Sequence, residues 1–149
     1  MILSNSEIKD VKFGKNVKVV NPVNLYGCSI QDSSFVGPFV EVQKNVQIGK
    51  RCKIQSHSFI CEFVKIGNDC FIGHGVVFIN DKFKNGGPAM GDKSLWQKTN
   101  IGNNVSIGSN STILPVNICD NVVIGAGSVV TKNISISGTY VGNPAKKIK

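Results

Sequence analysis

Five side chains in the middle of this chain have the types and spacing to do chemistry: His57, Glu62, His74, Asn80 and Asp81. A carboxylate and an amide can hold a nucleophile by hydrogen bonds. An imidazole, with an unperturbed pKa of about 6.5, can move a proton near neutrality. Glu62 and Asn80 stand at positions i and i+18, His57 and His74 at i and i+17. Asn80 and Asp81 close the stretch IGHGVVFIND, after which an otherwise regular pattern stops. Either residue could equally cap a turn, a common use of both types.

The pattern sets what those spacings mean. From Val36 the chain reads VGPFVE, VQKNVQ, IGKRCK, IQSHSF, ICEFVK, IGNDCF, IGHGVV and FINDKF. Every first position is Val, Ile or Phe, and the fifth position of the first seven units is Val, Cys or Ser. The frame resumes as IGNNVS, IGSNST, ILPVN, ICDNVV, IGAGSV and VTKNIS; it is preceded by FGKNVK, VVNPVN, LYGCS and IQDSSF. A period of six describes a short strand and a turn, with positions one and five inward and the Gly, Asn, Asp and Lys between them bending the backbone. Three such units make one triangular coil, and successive coils stack as parallel strands about 4.8 Å apart. A sandwich of alternating strands would show a period of two instead.

The expected fold is therefore all-β: a parallel β-helix of about six triangular coils, some 29 Å long at roughly that spacing. It forms one domain over residues 1–149, with an inserted loop at about 81–98 and a tail at about 136–149. LYGCS and ILPVN are each one residue short and predict local irregularity. Side chains one coil apart stack, so Glu62 and Asn80 share a corner, with Lys44 one coil earlier in the same column. The two histidines flank a different corner. A single site containing both His74 and Asn80 would have to lie between subunits. The insertion DKFKNGGPAMGDKSLWQK carries the only Trp and reads as a lid or arm over such a cleft.

Composition narrows the classes. At 149 residues and 41% hydrophobic content the chain is globular. The net charge of +8 suits a phosphate-bearing ligand. Its lysines are scattered among turns with few aromatics between them, which argues against nucleic acid. No apolar stretch approaches a membrane span, and the start MILSNSEIKD lacks a signal-peptide layout; a soluble, cytoplasmic protein without membrane insertion is expected. Five cysteines without CxxC spacing read as buried thiols, with neither a disulfide framework nor a zinc site, and no metal is expected. Three histidines around zinc, as in a γ-class carbonic anhydrase, are beyond a chain with two.

The stretches VGPFVEVQKNVQIGKRCKIQSHSFICEFVKIG, IGHGVVFINDKF and IGAGSVVTKNISISGTYVGNPAK resemble the left-handed β-helix acyltransferases. Within these the likeness is to nucleotide-sugar N-acetyltransferases acting on dTDP-3-amino-3,6-dideoxyhexoses or UDP-3-amino sugars for surface polysaccharides. It runs from about Phe13 to Lys147 and is most specific at QSHSFICE and GHGVVFIND. The resemblance implies a left-handed coil and a homotrimer with sites between subunits. It also implies acetyl transfer from acetyl-CoA to a nucleotide-linked amino sugar. By position, Glu62, Asn80 and His74 would be catalytic, with His57 and Asp81 in the sugar pocket. Gly108, Ala126, Lys132, Asn143, Pro144, Lys146 and Lys147 would line coenzyme A. The chain departs from the family at LPVN, where a Gly is usual, and at Phe63, where a Gly is common. A sugar or serine O-acetyltransferase, which would lean harder on a histidine, and a noncatalytic scaffold are the alternatives.

Overall fold

A computed structural model describes residues 8–149. Its short strands fall into three faces of seven, six and eight strands; as far as Val129–Val130 the members of each face pair in parallel and succeed one another at every third strand of the chain. The result is an all-β solenoid of about seven turns, consistent with a left-handed β-helix. The extra turn relative to the repeat frame comes from both ends. Ile8–Lys9 pairs with the strand Asn24–Tyr26 before the frame begins. At the other end Gly138–Val141 pairs in parallel with Val122–Ile124. The expected tail is thus largely structured: Lys146–Lys147 then returns antiparallel along Gly138–Val141.

The aliphatic first positions form the core. Val36, Val42, Ile48, Ile54, Ile60, Ile66, Ile72 and Phe78 are all buried, as are Ile101, Ile107, Ile113, Ile118, Ile124 and Val130. The fifth positions Val40, Val46, Cys52, Ser58, Val64, Cys70 and Val76 are buried beside them. Small residues suit the tapering corners, and the polar ones are satisfied there. Ser34 and Ser58 donate to the carbonyls of Gly49 and Gly73 at 2.8 and 2.9 Å.

Register follows unit length. Phe59 pairs with Glu41 on one side and Val77 on the other, each a full coil of three hexads away, whereas Lys12 pairs with Ser29 and Asn100 with Asn117, one position short of that. The short units LYGCS and ILPVN are the physical source of the shorter offset. Across the insertion the separation becomes 35, as between Asn68 and Asn103, so the excursion leaves and rejoins the solenoid without disturbing the stack.

The three corners are not equivalent. The second corner, between the six- and eight-stranded faces, is closed by a ladder of side-chain caps. Asp32 accepts from the Lys15 backbone N–H, Asn68 from Lys50, Asn103 from Asn68 and Asp120 from Asn103, at 2.7–2.9 Å. Such Asx caps hold turns together and occupy the polar groups there. The chemistry-bearing residues lie at the other two corners, on either side of the seven-stranded face.

Candidate active site

At the first corner, between the seven- and six-stranded faces, Glu62 and Asn80 lie on successive coils, and the Asn80 amide donates to the Glu62 carbonyl at 3.2 Å. The turn is built locally: Phe63 takes φ +70, a left-handed conformation that a side chain adopts at a cost, and this bends the chain from Phe59–Ile60 on one face to Val64–Ile66 on the next. Gln43, one coil earlier, accepts from the Glu62 backbone N–H at 3.2 Å and donates to Glu41 at 3.1 Å. The Glu62 carboxylate is only 7% exposed. A carboxylate in that setting needs a partner, because leaving it unpaired costs several kcal/mol.

The partner is Lys93, whose ammonium lies 2.9 Å from both carboxylate oxygens. Lys93 belongs to the insertion, in a short 3-10 turn, Lys93–Leu95, capped by Asp92. Its ammonium also stands 5.5 Å from the Trp96 ring centre, and Trp96 meets Phe63 edge-on at 6.4 Å. The hydrogen bond to Glu62 raises the Lys93 pKa, and the nearby Lys93 ammonium lowers that of Lys44. Burial, with the charges of Glu41 and Glu62, raises the Tyr26 hydroxyl. The insertion is fastened at both ends: Gln97 N–H donates to the Asn80 carbonyl at 2.9 Å and Thr99 N–H to the Phe63 carbonyl at 3.2 Å. Asp81 belongs to that fastening. Its two oxygens accept from the N–H groups of Phe83 and Ala89 at 2.9 and 2.7 Å.

The third corner, between the eight- and seven-stranded faces, carries both histidines. His74 is exposed, and its Nδ1 lies 2.9 Å from the Ser56 hydroxyl one coil earlier. His57, at φ +64, stacks on Phe39 with ring centres 4.9 Å apart. Asn110 N–H donates to the His74 carbonyl at 2.8 Å. On the same corner Gly108 packs backbone to backbone against Ala126; a Cβ at Gly108 would collide with the Ala126 backbone. Asn143 and Pro144 turn the chain at its end, between the Gly142 carbonyl and Ala145 N–H, both bonded to Val129.

The sequence-predicted residues therefore divide. Glu62 and Asn80 meet at the first corner, and the exposed Lys132 lies at that corner several coils on. His57, His74, Gly108, Ala126, Asn143 and Pro144 share the third. Lys146 and Lys147 stand exposed on the final antiparallel strand. Within one chain His74 and Asn80 sit on opposite sides of the strand Val77–Phe78. Sequence reasoning missed Lys93, Ser56, Gln43 and Tyr26; of these only Ser56, one full coil before His74, was open to the stacking rule. All five cysteines are free, and Cys119 alone is not fully buried.

A model of the bacterial transferase hexapeptide (six repeats) matches residues 27–62, and one of the hexapeptide repeat of succinyl-transferase matches residues 98–132. The bifunctional protein GlmU of Streptococcus uberis is 35% identical over 151 residues, covering 100% of this chain and 30% of that protein; the chain spans between 21% and 30% of the length of such curated relatives. A galactoside acetyltransferase solved with coenzyme A is 29% identical at a TM-score of 0.67, covering 95% of this chain and 64% of the other. A GDP-perosamine N-acetyltransferase from Caulobacter crescentus, solved with CoA and GDP-perosamine, shares the fold at a TM-score of 0.63 and 17% identity, over 95% of this chain and 56% of that one.

Proposed function

From a chain that carries the hexapeptide repeats of the bacterial transferase superfamily, we propose an acetyl-CoA-dependent N-acetyltransferase whose acceptor is the amine of a nucleotide-linked amino sugar. The observation that carries this reading is the Glu62 carboxylate: nearly buried, beside Asn80, and holding a primary ammonium at 2.9 Å. A site that binds the ammonium of a lysine has the chemistry to bind an acceptor amine.

Acetylating an amine needs a neutral nucleophile, correct alignment with the thioester and stabilisation of the charges that form. A sugar amine with a pKa near that of an α-amino group, about 7.7–8, is partly neutral at pH 7, so a strong base is dispensable. Glu62 accepts an N–H bond from the amine and aligns it. As nitrogen attacks the carbonyl carbon it becomes positive, and the same carboxylate then stabilises it more strongly than in the ground state, which is where rate enhancement arises. A backbone N–H near Gly75 or Gly108 holds the oxyanion, and the departing CoA thiolate takes the proton.

The two occupied corners border one face, whose outward side carries Asn24, Glu41, Phe59, Val77, Thr112 and Val129 in register, with its apolar members toward the later coils. The six-stranded face instead presents Lys12, Ser29, Gln47, Lys65, Asn100 and Asn117. The less polar side suits contact with neighbouring copies. This supports a homotrimer in which the first corner of one subunit meets the third corner of the next, bringing His74, Gly108 and Ala126 opposite Glu62. Coenzyme A lies along that third corner, with Lys132, Lys146 and Lys147 toward its phosphates.

The Ser56 contact on His74 Nδ1 favours a second reading, acetylation of a sugar hydroxyl, because it orients the ring as a base toward an acceptor that needs one. Thiol release from acetyl-CoA with dTDP- and UDP-linked amino sugars, each beside its hydroxyl counterpart, separates the two. Release with an amino sugar alone supports N-acetylation. Release with the hydroxyl sugars alone, or with none, overturns it.

A further inference from the structure

Lys93 has no place in that reaction, yet it occupies the position the reaction requires for the acceptor. Its side chain is 41% exposed while that of Glu62 is 7% exposed, so the ammonium sits on the solvent side of the carboxylate, across the approach of an incoming amine. Both carboxylate oxygens are bonded to it. The charged and titratable groups facing it are Glu62, Lys44 and Tyr26; Glu41, one strand earlier, faces Tyr26. Glu62 is the anion with which Lys93 pairs, and an amine arriving there has to displace or share it.

Resting on the reading of this corner as the amine site, we infer that Lys93 is an internal competitor for the acceptor's amine, a placeholder that keeps Glu62 paired until an amino sugar exchanges with it. The physical need is clear: a desolvated carboxylate without a counter-charge is costly, and exchange of one ammonium for another leaves the local charge unchanged; the bound sugar ammonium, whose pKa lies near neutrality, then releases one proton to solvent and attacks as the neutral amine. Lys93 is suited to leave. Its side chain is flexible and partly open to solvent, so the freed head can solvate, while the turn that carries it stays tied by Asp92 and by Trp96 against Phe63. The device favours cationic acceptors, since a hydroxyl cannot replace the charge that Lys93 withdraws. Lys93 is therefore a specificity-determining residue.

Pulse acetylation with acetyl N-hydroxysuccinimide, read by mass spectrometry, tests this without turnover, because only the neutral amine reacts. In the free protein Lys93 is expected to label several-fold more slowly than Lys82 and Lys84, and to catch up with them in Glu62→Gln. Saturation with a dTDP-linked 3-amino-3,6-dideoxyhexose releases Lys93 to the rate of its neighbours, whereas the 3-hydroxy counterpart leaves it slow. In steady-state assays Lys93→Met lowers KM for the amino sugar several-fold with KM for acetyl-CoA as in wild type; Lys93→Arg, which keeps a cation in place, does not. An unchanged or raised KM in Lys93→Met, or a Lys93 that stays slow when the amino sugar is bound, overturns the inference. Release of Lys93 by an amino sugar without thiol release upholds the exchange and overturns N-acetyl transfer, so the two fail separately.

Discussion

Glu62→Gln is the substitution from which the structure predicts most. It is nearly isosteric, so the turn through Cys61, Glu62 and Phe63 keeps its Gln43 and Asn80 bonds, which run to the backbone of residue 62. What changes is charge. The amide oxygen can still accept one hydrogen bond, but the NH2 group presents donors where a carboxylate accepted. A hydrogen bond to a charged group contributes about 1.5–3 kcal/mol, roughly ten- to 150-fold in kcat/KM if it is made in the transition state. The expected result is a kcat/KM for the amino sugar lowered by that factor, with KM for acetyl-CoA unchanged and the melting curve close to wild type, because the released Lys93 head solvates. The assay is thiol release with varied acceptor. Wild-type turnover in both Glu62→Gln and Asn80→Ala, together with loss of turnover in His74→Ala or His57→Ala, would refute the reasoning and assign the chemistry to a histidine base.

Three further outcomes are expected. Phe63→Gly relieves a left-handed backbone, worth about 1–2 kcal/mol, and forfeits the edge contact with Trp96, worth about 0.5–1.5 kcal/mol. Its melting temperature should stay near wild type while trypsin cuts the insertion faster, after Lys82 and Lys84; an unchanged digestion rate would contradict the contact's role in holding the arm. Burial pushes the Cys28 thiol up to about 11 and that of Cys61 to about 12. Both should therefore resist iodoacetamide at pH 8.5 until the chain is unfolded. Because these folded values are raised, their contribution to stability is full below the ordinary thiol value and is lost as pH rises toward 11–12, which urea titrations at a series of alkaline pH values measure. Lys146→Ala should weaken acetyl-CoA binding and flatten its dependence on salt, as expected for a point contact with phosphate; equal salt dependence in mutant and wild type would make that strand a solvated end.

The solenoid and its registers were legible because a fixed period of six admits few arrangements. Each first position from Val36 to Phe78 is buried as the frame requires, and stacking by whole coils brings Glu62 to Asn80 and Ser56 to His74. What escaped the sequence lies where the period fails. Gly138–Val141 carries no hexad yet still continues a face, because its backbone pairs regardless of side-chain pattern. Lys93 lies in the insertion, where no spacing rule places one residue against another; a basic, aromatic segment beside a buried acid was the available hint. Asp81, placed at the sugar pocket by resemblance, also bonds the arm's own backbone with both oxygens, a turn-capping use equally legible in the sequence.

The most direct test of the account is a crystal structure with coenzyme A and a dTDP-linked 3-amino-3,6-dideoxyhexose. The account predicts the sugar nitrogen within about 2.6–3.2 Å of the Glu62 carboxylate, Lys93 displaced from it, and the CoA sulfur brought in by the His74 corner of a neighbouring copy. A nitrogen held away from Glu62, or a complete site formed within one chain, would contradict it.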